Sequence, residues 1–172
     1  MKKILACSAL TLAAIGAHAD PVNLIVNGDF EAGNTGFSSQ YTAGNDIAHS
    51  ANPSVPDLWS PNYYGVGTNP INFHPYWSSF TADGNMLIAN GGADTTAAVW
   101  SEKIENLAAG SYTFGFSATG VYSGNPAVLN AVAVNLDDAS TIDLGTLTLT
   151  STSSACALNV YPLPPCCADE RL

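Results

Sequence analysis

The chain has 172 residues, 10% of them charged, and its 14 carboxylates against four lysines and arginines give a formal net charge of −10. An acidic surface of this kind repels nucleic acid and anionic lipid headgroups, which argues against both as partners. With 47% hydrophobic residues and few charges, the composition is that of a folded extracellular β domain rather than of an acidic disordered tail.

Residues 1–19 open with Met1-Lys2-Lys3, run through an apolar stretch from Ile4 to Gly16, and reach Ala17-His18-Ala19. A basic start, a short apolar run and a small-x-small end predict a secretory signal peptide, with the mature chain beginning at Asp20. The run is too short to span a bilayer as a retained helix, so the expected destination is extracellular or the cell surface, with no membrane anchor in this chain. Cys7 precedes most of the apolar run, the wrong place for lipoprotein attachment. Cleavage removes Lys2 and Lys3, leaving Lys103 and Arg171 as the basic residues. Residues 20–154 are long enough for one domain with its own core.

Asn23–Glu31 reads as a short apolar strand closed by Asn27-Gly28. Residues 32–79 are rich in Gly, Asn, Pro and Ser and carry Phe37, Tyr41, Trp59, Tyr63, Tyr64, Phe73, Tyr76 and Trp77 at irregular spacing. A connection this long without obvious regular structure is usually functional. Asn85–Asn90 is an apolar run of strand length between Asp83-Gly84 and Gly91-Gly92. A strand around Trp100 then leads through Gly110 into the segment on which the rest is organised. There Tyr112, Phe114, Phe116 and Ala118 alternate with Ser111, Thr113, Gly115 and Ser117. Period two places the aromatics on one face, predicting a core strand of an antiparallel β protein. Val128–Leu136 alternates partly and Gly145–Thr150 strictly, while no segment sustains a helical period; the expected class is all-β.

After Thr150 the character changes. Residues 155–172 hold Cys156, Cys166 and Cys167 together with Pro162, Pro164 and Pro165, and read as an irregular, disordered tail. An odd cysteine count with an adjacent pair argues against a disulfide framework, and zinc lacks both the ligand spacing and a nearby His.

The stretch Asn23-Leu24-Ile25-Val26-Asn27-Gly28-Asp29-Phe30-Glu31 resembles the first strand of galactose-binding-like jelly-roll domains, carbohydrate-binding modules among them. The closer resemblance is to exported bacterial proteins carrying a PEP-CTERM sorting signal. Their N-terminal domain similarly runs from an Asn-Gly-x-Phe-Glu start to a Trp/Phe-His-x-x-Trp stretch, here Phe73-His74-Pro75-Tyr76-Trp77. A Gly-Asn-Met-x-Ile-x-Asn-Gly strand follows, here Gly84 to Gly91, then Trp-Ser and Gly-x-Tyr-x-Phe strands. The resemblance implies an antiparallel β-sandwich of jelly-roll type. It departs from the family after Gly145-Thr146-Leu147: the closing strands and the sorting signal do not follow, and Leu136-Asp137-Asp138 echoes the closing strand on the wrong side. Sorting therefore does not carry over, and the sandwich is expected to be incomplete at its C-terminus, a truncated or frame-shifted version of a longer relative.

Asp29 and Glu31 are two apart and would share a face of a strand. Related jelly rolls often hold a structural calcium near this Glu, which makes the pair the candidate metal site; the alternative is a solvated pair of carboxylates at a strand end. Asp137-Asp138 would point to opposite faces of a strand and cannot flank one glycosidic bond. His49 and His74 are the histidines left after cleavage, and neither a Ser-centred elbow nor a His-Glu-x-x-His helix nor a phosphate loop is present, so a non-catalytic protein is expected. Exposed Tyr and Trp can stack on sugar rings while neighbouring polar groups bind hydroxyls. Tyr63, Tyr64, Asn72, His74 and Tyr76 form the candidate ligand set, whereas Trp77, Phe80 and Trp100 are expected in the core. The expected function is an exported module binding saccharide or exopolysaccharide at the cell surface or in the matrix. The alternatives are a structural matrix protein without a small-molecule ligand and a non-functional truncated relative.

Overall fold

The computed structural model describes residues 22–44, 57–80, 83–108 and 110–149, together with the backbone of a strand at 154–160. The expected signal peptide, His49 and the Pro162 to Leu172 end lie outside the described residues.

The described chain is all-β: β1 (Thr42–Ala43), β2 (Tyr63–Gly67), a 3-10 turn (Pro70–Asn72), β3 (Met86–Asn90), β4 (Tyr112–Ala118), β5 (Val128–Val134), β6 (Thr141–Thr148) and β7 (Ser154–Val160). They form three hydrogen-bonded sheets. β1 runs parallel to β2, which is antiparallel to β3; β4 pairs with β7 and β5 with β6, both antiparallel. Among the described residues no helix is long and apolar enough to cross a membrane.

β4 behaves as its alternation predicts. Tyr112, Phe114, Phe116 and Ala118 are half-buried and the intervening residues are exposed. Trp100 stacks on Phe114 with ring centroids 5.9 Å apart, and Phe114 leans on Phe116 at 5.7 Å. The strand expected around Trp100 shrinks to a single bridge, in which Ser101 and Ser38 exchange backbone hydrogen bonds of 2.8 Å.

Three expectations are corrected. Asn23–Glu31 is not a strand: Asn27 (φ 53°) and Phe30 (φ 60°) occupy the left-handed region, and the Phe30 N–H donates to the Asn27 carbonyl across a turn. The Asn27 side chain then organises the loop, accepting from the Ala32 N–H and donating to the carbonyls of Gly33 and Thr35. A short amide that bonds its own backbone competes with strand pairing, and here it wins. The tail expected to be irregular from residue 155 begins instead with β7, whose register runs from Tyr112↔Val160 to Ala118↔Ser154. Its three prolines all follow the strand, so none removes a donor from the ladder. Finally, Asp137-Asp138 lies in the turn joining β5 to β6 rather than on a strand, with the Ser140 N–H donating to Asp138.

The best-buried side chains gather on one face of β2–β3: Leu58, Phe73, Trp77 and Ile88, with Tyr63, Met86 and Val121 against them. Gly65 opposes Ile88 and Gly67 opposes Met86. Between them the glycines leave a groove into which the Phe73 ring fits; a Cβ at Gly65 would stand 2.5 Å from Phe73 Cε1, and one at Gly67 2.8 Å from Cε2. The opposite face carries Tyr64, whose ring meets Phe37 at 5.9 Å, and Phe37 in turn meets Phe30 edge-on at 5.6 Å. Trp77 is thus in the core as expected, while Phe80 and Trp100 are only half-buried.

Candidate functional site

The strands β2 and β3 place an aromatic cluster beside the core. Its first member, Trp59, is set by two devices. The Trp59 N–H donates to Asp57 Oδ1 at 3.0 Å, an Asx turn, and Asn90 Nδ2 at the end of β3 donates to the carbonyls of Leu58 (2.8 Å) and Trp59 (3.1 Å). Leu58 is fully buried, its N–H bonded to the Phe73 carbonyl, so the next side chain turns outward and Trp59 is 37% exposed.

The other members follow the 3-10 turn. Asn69 caps it, its Oδ1 accepting from the Ile71 N–H, and its side chain also reaches Ser79 and the Phe80 N–H. The N–H groups of Phe73 and His74 both donate to the Pro70 carbonyl, and Trp77 N–H donates to the His74 carbonyl. This winding sends Phe73 and Trp77 inward and leaves Tyr76 outward, 71% exposed.

The result is a three-ring stack. The His74 imidazole lies between Trp59 (4.7 Å, 18°) and Trp77 (4.8 Å, 15°), and Tyr76 leans on Trp59 at 5.5 Å and on His74 at 5.7 Å. His74 Nδ1 accepts the Tyr76 backbone N–H at 3.2 Å, which assigns the ring proton to Nε2. Burial between the indoles pushes the imidazole pKa below its ordinary value, against the opposing pull of the Asp57 carboxylate. The arrangement offers two exposed aromatic side chains, Trp59 and Tyr76, on a base of stacked rings.

His74 and Tyr76 from the expected ligand set therefore meet here, and Asn72 is exposed on the 3-10 turn just before them. Tyr63 and Tyr64 do not join as a platform, which corrects the expectation that both are exposed. They are neighbours on β2 and point to opposite faces. Tyr63 packs on the core, while Tyr64 is 7% exposed with its hydroxyl donating to Asn34 at 2.8 Å. Sequence reasoning missed Trp59 and Asn90. The Asp57-Leu58-Trp59 sequence carries an Asx-turn signal, but no local period connects residue 59 to residues 74–77.

Asp29 and Glu31 lie on a turn and not on one strand face. Asp29 Oδ1 accepts the Glu31 N–H at 3.3 Å, and Glu31 Oε1 accepts the Asn85 N–H at 2.6 Å at the entry to β3. The carboxylate lies against the Gly84 α-carbon (φ 131°), where a side chain would collide with Glu31 Oε1. Glu31 thus fastens the N-terminal loop to the central strand pair, and no group of three metal-ligating side chains assembles around it among the described residues.

A second feature is an open cleft of about 410 Å³ lined by Val26, Phe37, Ser38, Ser101 and Glu102 among others. Glu102 Oε1 accepts the Val26 N–H at 2.8 Å, and its Oε2 is buried without a hydrogen-bond partner among the described residues. Lys103, at the rim, is the one Lys or Arg among the described residues and is bound to Glu105 at 2.9 Å.

No protein-family model matches this sequence, and no curated protein and no solved structure matches it.

Proposed function

We propose that this protein is an exported, non-catalytic β-sandwich module of the galactose-binding-like jelly-roll kind that binds a neutral saccharide on the platform of Trp59 and Tyr76. The observation that carries the reading is the backed, exposed pair itself: two large aromatic side chains held at the surface by the half-buried His74 ring stacked on the buried Trp77. Exposed rings that only filled space would not need such support, whereas a stacking surface gains by being rigid before the ligand arrives. The apolar faces of a pyranose fit such rings, and Asn72, exposed on the 3-10 turn that leads into them, is the candidate to bind hydroxyls.

Charge favours a neutral glycan over an acidic one. Asp57 stands beside the platform, the chain is strongly acidic, and Lys103 is occupied by Glu105. Electrophoresis of the full chain through gels containing galactomannan, hydroxyethylcellulose or xyloglucan tests this, with alginate as the acidic control. At least one neutral polymer should retard the protein, and the Trp59→Ala, Tyr76→Ala double variant should run freely while still melting cooperatively as a folded protein. Migration unaffected by all three, or retardation by alginate alone, refutes the reading and leaves a structural role without a small-molecule ligand.

A further inference from the structure

His74 is placed to do more than fill the stack. The outermost ring of the platform belongs to Tyr76, and the Tyr76 backbone N–H is held by His74 Nδ1 at 3.2 Å. That nitrogen is an acceptor only while the imidazole is neutral. Added to the ring, a proton can go only to Nδ1, because Nε2 already carries one; the acceptor then becomes a donor facing a donor. The stack itself tolerates the change, since an imidazolium between two indole faces is attracted to both. What acid removes is the hydrogen bond that holds the Tyr76 backbone N–H, leaving its ring contacts with Trp59 and His74 to position it.

We propose that His74 is an acid-release latch for the platform: neutral, it holds Tyr76 in the stacking arrangement, and protonated, it frees residue 76 and weakens ligand binding. This rests on the saccharide reading for the ligand, but the latch has its own observable. His74 is a positioning residue here, acting through Tyr76. The groups that face it are few. Trp59 and Trp77 cover its two ring faces and do not titrate; Asp57, from the segment leading into Trp59, is the charged group that acts on it, and Tyr76 is the titratable neighbour on its own segment. Burial outweighs the Asp57 carboxylate and lowers the imidazole pKa from its ordinary value, so the latch is closed at neutral pH and opens on acidification.

Nitrogen-15 spectra of the full chain across a pH series test the device. The Tyr76 amide should shift with the same midpoint as the His74 ring nitrogens. Retardation by whichever of the three neutral polymers binds should fall roughly tenfold in affinity below that midpoint, about what one lost hydrogen bond costs. His74→Phe keeps a ring between the indoles and should abolish both dependences. A Tyr76 amide that stays still while His74 titrates overturns the latch, and that measurement needs no variant to fold. An amide shift that persists in His74→Phe, or binding that ignores pH while the amide titrates, overturns it equally. If no neutral polymer binds at any pH and the amide still follows His74, the latch stands and the saccharide reading falls.

Discussion

The groove between Gly65 and Gly67 makes a quantitative test of how the core is built. A methyl at Gly65 would lie 2.5, 3.1 and 3.4 Å from Cε1, Cδ1 and Cζ of Phe73. Carbon atoms sit comfortably at about 3.5–4.0 Å, so the ring would have to retreat by roughly an ångström. It has nowhere to go: Phe73 is 6% exposed and is enclosed by Leu58, Trp77 and Ile88, exposed by 0, 9 and 4%. Overpacking of this kind costs about 1–3 kcal/mol. Gly65 has no positive φ, so alanine also stiffens the unfolded chain, a gain of about 0.4–1 kcal/mol that leaves the loss dominant. At roughly 2–4 °C per kcal/mol, Gly65→Ala should melt several degrees below the parent in a thermal scan followed by circular dichroism. Gly91→Ala is the control, because nothing lies within 4 Å of its added methyl; it should melt within about a degree of the parent. Trimming the ring with Phe73→Leu should reduce the Gly65→Ala penalty by at least about 1 kcal/mol in a double-mutant cycle. A Gly65→Ala protein as stable as Gly91→Ala, or a penalty unchanged by Phe73→Leu, would refute the groove.

Asn90→Ala removes the two bonds that hold the carbonyls of Leu58 and Trp59 and should cost about 1–2 kcal/mol in urea unfolding, with weaker polymer retardation because Trp59 loses its anchor. At Glu31 the acceptor matters more than the charge: Glu31→Gln should stay within about 0.5 kcal/mol of the parent and Glu31→Ala should lose about 1 kcal/mol, both by urea unfolding. A melt that falls on adding chelator, with the fall abolished in Glu31→Gln, would establish the calcium role expected from the sequence. Because the folded imidazole of His74 titrates below 6.5, folding favours its neutral form; its contribution is complete above 6.5 and is lost as pH falls through the folded value. Stability measured from pH 8 to 5 should decline on the acid side, and His74→Phe should flatten that part of the curve.

What the sequence made legible follows its periodicity. β3 and β4 stand where apolar runs and strict alternation put them, because burial on one face of a strand imposes period two. The aromatic loop gave residues without geometry. Tyr63 and Tyr64 read as a pair only while residue 63 is treated as loop; once β2 is a strand, adjacency means opposite faces, and the pair divides between the core and the N-terminal loop. Conversely, Trp59 and His74 meet because Leu58 and Phe73 are joined backbone to backbone, a contact with no local signature.

The remaining gap has one physical source. Three ties that shape this molecule run from a side-chain oxygen or amide to a distant main-chain group: Glu31 to the Asn85 N–H, Glu102 to the Val26 N–H, and Asn90 to the carbonyls of Leu58 and Trp59. Every residue but proline offers a backbone N–H, and every residue offers a carbonyl, so such a tie marks the chain at one end only. A polar side chain without a visible partner in the sequence then reads as a ligand or a solvated charge, as Glu31 does until the Asn85 N–H is seen to be its partner. The partner leaves a trace where the backbone must be bare to admit the approaching side chain. Gly84 is that trace for Glu31: the Asn-Gly-x-Phe-Glu and Gly-Asn-Met stretches, separate in the sequence, are the two halves of one contact.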